Sequence, residues 1–301
     1  MTYQHTMRGV FAVPTTPFRE DGSQNLDELR RGVDNALKAG IGGILCLGAT
    51  GEALALTGPE REEHIQTVVE AAAGRAKVVV GCMGYSPTEV SENIAKAKSL
   101  GADAAMITPP YYGGLEPEAA VAALHTIMVN SQLPVMVYNN PHSTGTDLLP
   151  EHLAKLIDTG SFWSVKETSG AATRIRELRA ALGDDVEVFV GADGIALEGF
   201  TQGASGWVAA SAWLLPGPCQ QLWEFVRDGN WNGAVELWNR LATPLGQIED
   251  NPAFISLIKQ ALSRRGSEQG AVRAPLPTAS TKSLETLLAT IDAMERSNAH
   301  V

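Results

Sequence analysis

The chain has 301 residues, 44% of them hydrophobic and 19% charged, which is ordinary for a globular protein and supplies a sizeable core. Its formal net charge of −11, with no run of lysines or arginines, excludes a general nucleic-acid binder, because a phosphate backbone needs a basic face. No segment approaches the roughly 18 unbroken apolar residues of a membrane span, and MTYQHTMRGVFAVPTTPF lacks the apolar centre of a signal peptide, so a cytoplasmic protein is expected.

Along the chain, the first apolar run is GVFAV (9–13), followed by an amphipathic stretch over 26–39 and a second run, GILCL (43–47). The next turn, LGATGEALALT (47–57), is rich in glycine and small hydroxyl residues. Such a turn can aim backbone N–H groups at a carboxylate or phosphate, although glycines are common at these turns for purely structural reasons. Thr57 and Glu60 form a capping box for a helix over 59–73, before the strand KVVVG (77–81). Ser86-Pro87-Thr88-Glu89 reads as a second capping box, and Gly101 as the stop of a helix over 87–100 with Val90, Ile94 and Ala97 on one face. DAAMI (103–107) is the fourth strand. The pair Tyr111-Tyr112 after it lines a site, forms an interface or caps the fold.

Helices over 117–130, 150–158, 171–182 and 193–203 then alternate with the strands PVMVY (134–138), FWSVK (162–166), EVFV (187–190) and GWVA (206–209), and a helix over 211–228 ends the series. After residue 230 only helical periods remain, at 231–246, 252–265 and 282–297. Strands apolar on both faces, each followed by a helix, belong to a buried parallel sheet. Eight such units fit an α/β fold of the closed (β/α)8 (TIM) barrel type better than an open doubly wound sheet. The expected organisation is a catalytic barrel over 1–229 and a small C-terminal helical domain over 230–301. Cys46, Cys82 and Cys219 lie far apart and read as reduced core residues.

In such barrels the chemistry sits at the C-terminal ends of the strands. Lys166 ends the sixth strand, and Tyr138 holds the matching place on the fifth. A lysine rarely goes inside unless something pairs with it or uses it. Glu167 is one candidate partner, which would make Lys166 structural. In a poorly hydrated cavity, however, burial favours the neutral amine, and a neutral lysine can attack a ketone to form a Schiff base. Tyr138 is then either a core tyrosine or a proton shuttle. The phosphate-binding, dinucleotide-binding and serine-nucleophile glycine motifs are all missing, and the six histidines show no metal-ligand spacing, so those readings fail.

GATGE (48–52), PPYY (109–112), YNNP followed by TG (138–145), VKETSG (165–170) and GADG (191–194) together resemble the dihydrodipicolinate synthase and N-acetylneuraminate lyase family, in order and spacing and over essentially the whole chain. The resemblance implies a (β/α)8 barrel without cofactor, a lysine Schiff base with pyruvate or another 2-oxo acid, and a homotetramer built from tight dimers. It makes Lys166 the Schiff-base lysine and Tyr138 the general acid–base. Thr50, with the N–H groups of Ala49 and Thr50, would hold the substrate carboxylate. Tyr112 would reach into a partner's site, and Gly191 and Val208 would flank the keto acid.

Two positions depart from the family pattern. Ala49 stands where the synthases usually carry a threonine that links the two tyrosines, and Ser143 stands where they place an arginine that grips the second substrate's carboxylate. Ser143 and His142 suit hydroxyls better. The expectation is therefore a lyase acting on a 2-keto-3-deoxy sugar acid by aldol cleavage, condensation or dehydration. The alternatives are a synthase that condenses pyruvate with aspartate semialdehyde, and a non-catalytic 2-oxo-acid binding protein.

Overall fold

The computed structural model describes residues 7–298, with side chains as far as residue 296. Eight strands close into a barrel in chain order: β1 (Gly9–Ala12), β2 (Gly43–Cys46), β3 (Lys77–Gly81), β4 (Ala104–Ile107), β5 (Val135–Asn139), β6 (Phe162–Glu167), β7 (Glu187–Val190) and β8 (Gly206–Ala209). Every neighbouring pair is parallel, and β1 pairs with β8. The helices between them are α1 (Leu26–Lys38), α2 (Gly58–Ala72), α3 (Pro87–Ser99), α4 (Pro117–Met128), α5 (Pro141–Thr144), α6 (Pro150–Ala154), α7 (Arg174–Leu182) and α8 (Ala196–Thr201). After β8 come α9 (Pro216–Arg227), α10 (Trp231–Glu249), α11 (Phe254–Arg264) and α12 (Thr281–Asn298). Among the described residues, no helix is long and apolar enough to cross a membrane.

Strand alternation sorts the apolar residues into two layers. Val10 and Ala12 face the helices while Phe11 faces the barrel axis, and Val78 and Val80 face outward around an inward Val79. The rings of Phe11, Trp163 and Phe189 meet inside the barrel at centroid distances of 5.5–6.3 Å. Gly43 makes room for this layer, since a side chain there would begin 2.2 Å from the Phe11 ring.

The register between β5 and β6 slips by one residue: Val135 faces Phe162, but Met136 faces Ser164. Trp163 is the extra residue, a β-bulge. Its effect is to change parity along β6. Phe162 and Val165 pack outward, whereas Trp163 packs inward, and beyond the bulge Lys166 stands opposite the inward Tyr138.

Several element ends differ from the sequence expectation. Both β5 and β6 run one residue further, so Glu167, not Lys166, is the last residue of β6. β2 stops at Cys46 because Leu47 turns to φ +56°. The helix expected at 211–228 starts only at Pro216, after one tight turn at Ser211–Trp213. The Thr57–Glu60 capping box is complete, but Glu89 turns to the Tyr85 N–H instead of closing a box with Ser86. The short helix α5 carries no apolar period and was not expected.

Candidate active site

At the C-terminal ends of the strands lies a cavity of about 460 Å³, with Lys166, Tyr138, Gly191 and Val208 in its walls. Lys166 is only 8% exposed, and its Nζ lies 4.2 Å from the centre of the Tyr138 ring. Among the described residues the amine makes no hydrogen bond and no ion pair to a protein group. Glu167, the rival partner, points the other way, as alternation requires. Its carboxylate accepts from Asn139 Nδ2 at 2.9 Å and from the Ser169 N–H at 2.6 Å, and lies 3.9 Å from Arg174.

Gly191 is required by this packing. A Cβ there would fall 1.9 Å from Thr168 Oγ1 and 2.9 Å from Lys166 Cε, so any side chain would displace the lysine stem. The Tyr138 hydroxyl accepts from Asn140 Nδ2 at 2.9 Å, and the same amide donates to Ser143 Oγ at 3.1 Å. Asn140 Oδ1 and Thr168 Oγ1 are buried without a protein partner, and both residues line the cavity.

The turn after β2 forms the opposite wall, with Gly48, Ala49 and Thr50. The Gly51 N–H donates to the Gly48 carbonyl at 3.1 Å, and the Glu52 N–H donates to the Ala49 carbonyl at 3.0 Å. A trans peptide points its C=O and N–H in opposite directions. Pinning those two carbonyls therefore turns the N–H groups of Ala49 and Thr50 the other way, and neither meets a protein acceptor among the described residues. The turn holds this shape with two non-glycine residues in left-handed backbone, Leu47 (φ +56°) and Glu52 (φ +55°). Each costs roughly 1–2 kcal/mol.

The rim beyond β7 is acidic. Asp193, Glu249 and Asp250 all contribute to the cavity wall, together with Phe254. Burial pushes the Asp193 carboxyl up from its ordinary value, against hydrogen bonds from the Ser211 N–H at 2.8 Å and Trp207 Nε1 at 2.9 Å. Desolvation and the neighbouring Asp193 also raise Glu249, which accepts from the Gly194 N–H at 2.5 Å. No arginine lines this cavity or the one beside it, which measures about 470 Å³, is mostly apolar, and shares Ala49, Tyr138, Asn140, Ser143 and Phe254.

The structure thus gathers Lys166, Tyr138, Ala49, Thr50, Gly191, Val208 and Ser143, with His142, around one cavity. Tyr112 does not join them: it is 76% exposed, packs edge-on against Tyr85 and lines neither cavity of its own chain. Asn140, Thr168, Asp193, Glu249, Asp250 and Phe254 escaped the sequence reading. Asn140 and Asp193 lie inside YNNP and GADG, but Glu249 to Phe254 come from the end of α10 and the start of α11, where no motif marks them.

A model of the dihydrodipicolinate synthetase family matches residues 6–294. The chain belongs to this family. It is therefore a lyase, and the family's mechanism is a Schiff base. It is 33% identical to the 4-hydroxy-tetrahydrodipicolinate synthase of Methanothrix thermoacetophila over 89% of this chain and 90% of that one. The synthase of an Exiguobacterium species is also 33% identical, over 96% and 98% of the two chains. Among solved structures, the synthase of Methylacidiphilum fumariolicum superposes with a TM-score of 0.93 at 26% identity, covering 98% of both chains. A chloride-inhibited synthase of Acinetobacter baumannii complexed with pyruvate gives 0.91 at 27% identity, covering 97% and 99%.

Proposed function

We propose that the chain forms a Schiff base between Lys166 and a 2-oxo acid and makes or breaks the C3–C4 bond of a 2-keto-3-deoxy sugar acid, with pyruvate as the shared three-carbon piece. One observation carries the reading: a nearly buried lysine nitrogen, free of protein hydrogen bonds among the described residues, 4.2 Å over a tyrosine ring and facing a cavity of about 460 Å³. In the cleavage direction the neutral amine attacks the C2 ketone and water leaves with a proton from Tyr138, giving a protonated imine and a phenolate. Tyr138 takes the proton of the C4 hydroxyl, the C3–C4 electron pair flows into the imine, and an aldehyde departs. Tyr138 then returns the proton to C3 of the enamine, and water hydrolyses the imine to release pyruvate, its spare proton restoring the Tyr138 phenol. Condensation is the reverse, and dehydration starts from the same imine by loss of a C3 proton and then of the C4 hydroxyl. Throughout, the N–H groups of Ala49 and Thr50 hold the carboxylate, while Gly191 and Val208 flank the three-carbon piece.

The barrel over 1–229 carries this chemistry, and the helices over 230–301 shape the far rim. The second piece of the substrate meets Ser143, His142, Asn140 and the acidic rim, with no guanidinium in reach. Hydroxyls suit that wall, whereas a second carboxylate would meet Glu249 and Asp193 without a guanidinium to grip it. Tyr112 serves a neighbouring copy in a homotetramer, since it lines neither cavity of its own chain. A second reading, condensation of pyruvate with aspartate semialdehyde, is favoured by the names of the curated relatives.

The test is a panel of 2-keto-3-deoxy acids, N-acetylneuraminate, and pyruvate with aldehydes including aspartate semialdehyde, with Lys166→Ala as the blank. Turnover of a sugar acid above all others is the expected result. A higher kcat/KM for aspartate semialdehyde overturns the substrate class, and the absence of any borohydride-trapped adduct on Lys166 overturns the mechanism.

A further inference from the structure

Lys259, on α11, is 1% exposed, yet no step above uses it. Its three ammonium protons have three acceptors: the Thr16 carbonyl after β1 at 2.8 Å, Glu52 Oε1 after β2 at 2.9 Å, and the Ala271 carbonyl at 2.8 Å. The other oxygen of Glu52 accepts from the Arg273 N–H at 2.7 Å. The Arg273 guanidinium grips the Ala55 carbonyl at 2.8 Å and the Glu60 carboxylate. Phe18 stacks beneath both cations, 4.4 Å from Lys259 Nζ and 4.3 Å from the guanidinium. A lysine and a glutamate this deeply buried carry a large desolvation cost, which an apolar pair of similar volume would avoid. Burial does push the Lys259 amine down, against the pull of Glu52.

What the pair holds is the turn after β2. Glu52 has a left-handed backbone, and its own N–H pins the Ala49 carbonyl, the bond that directs the Thr50 N–H away from the turn's interior. Thr16, which accepts from Lys259 through its carbonyl, donates its hydroxyl to the Gly51 carbonyl. The grip thus fixes both ends of the Gly51–Glu52 peptide, which follows the two free N–H groups.

We propose that Glu52, Lys259 and Arg273 are positioning residues that set the carboxylate-binding turn, so that α11 and the segment after it fix the affinity for the 2-oxo acid from behind the site. This rests on the reading that the turn binds the substrate carboxylate.

Borohydride trapping on Lys166 of the full-length protein tests it with two probes, pyruvate and acetaldehyde, which lacks a carboxylate. For Lys259→Met and for the milder, isosteric Glu52→Gln, the half-saturating pyruvate concentration should rise about tenfold, roughly one lost charge-assisted hydrogen bond. Acetaldehyde trapping should stay within about twofold. The double variant should lose less than the two single losses multiplied together, since the pair acts as a unit. Should Lys259→Met fail to fold, Glu52→Gln decides alone. Equal losses for the two probes would reduce the cluster to a structural clamp, and no loss for pyruvate would overturn the proposal. A wild-type protein that trapped pyruvate no better than acetaldehyde would instead sink the underlying reading of the turn.

Discussion

Two walls of the cavity are built in opposite ways. The wall from β5 and β6 places Tyr138 and Lys166 directly opposite each other in a hydrogen-bonded register, on backbone buried on both faces. The acidic rim comes from Asp193 after β7 and from Glu249 and Asp250 at the end of α10, segments more than fifty residues apart, with the Gly194 N–H donating to Glu249 across them. Adjacent strands cannot slide without breaking their ladder, so the first wall is stiff and suits bond-making. A rim assembled from a loop and a helix end can change its charge without disturbing the barrel, which suits selection among substrates.

The largest expected effect tests the stiff wall. Lys166→Ala should abolish both turnover and borohydride trapping, and a trapped adduct in that variant would place the chemistry elsewhere. Next, Tyr138→Phe should lower kcat by roughly 10²–10⁴-fold while pyruvate still forms a trapped adduct. Equal loss of adduct and turnover would make the tyrosine a spacer and not a proton carrier.

The rim should give smaller effects, visible in specificity. Glu249→Gln keeps the acceptor for the Gly194 N–H but removes a charge, so kcat/KM for aspartate semialdehyde relative to a sugar acid should rise about tenfold, or ~1.4 kcal/mol. Because the Glu249 carboxyl is raised, it takes up its proton at a higher pH than an ordinary carboxylate. Discrimination by the native protein should therefore shrink as the assay is moved from pH 7 towards pH 5, and shrink less in the Gln variant, where Asp193 is the remaining raised carboxyl. A pH-independent ratio in both proteins would remove Glu249 from substrate choice.

Acid must also be kept from confusing that assay through unfolding. His64 is fully buried between Gln24 and the core, and desolvation lowers its pKa from 6.5 to about 3. Below pH 6.5 the unfolded chain takes up a proton that the folded one refuses, so stability falls as pH drops, by about 1.4 kcal/mol per unit until pH 3. Urea unfolding at pH 7 and pH 5 should show a loss of about 2 kcal/mol in the native protein and much less in His64→Gln. Equal losses would assign the acid sensitivity to other groups.

The stiff wall was largely legible beforehand. FWSVK and PVMVY read as strands on their apolar residues alone, and an amine at the end of such a strand draws attention because burial there needs a reason. The rim was not legible, because Glu249 and Asp250 end an amphipathic helix whose outer face is charged in any case, and a carboxylate at such a position looks the same whether it meets water or a cavity. The grip of Lys259 on Glu52 was equally hidden, since the two lie 207 residues apart.

Hydrophobic period and local turn chemistry depend only on near neighbours, and for that reason the sequence alone determined eight strands, their order, the capping at Thr57 and the candidate amine. Which way that amine points was decided by the tertiary structure. Without the bulge at Trp163, period-two alternation would put Val165 beside Tyr138 and send Lys166 out among the helices. The bulge arises where β6 meets the packed rings of Phe11 and Phe189, and a strand's register depends on its neighbours across the sheet, not on its own residues.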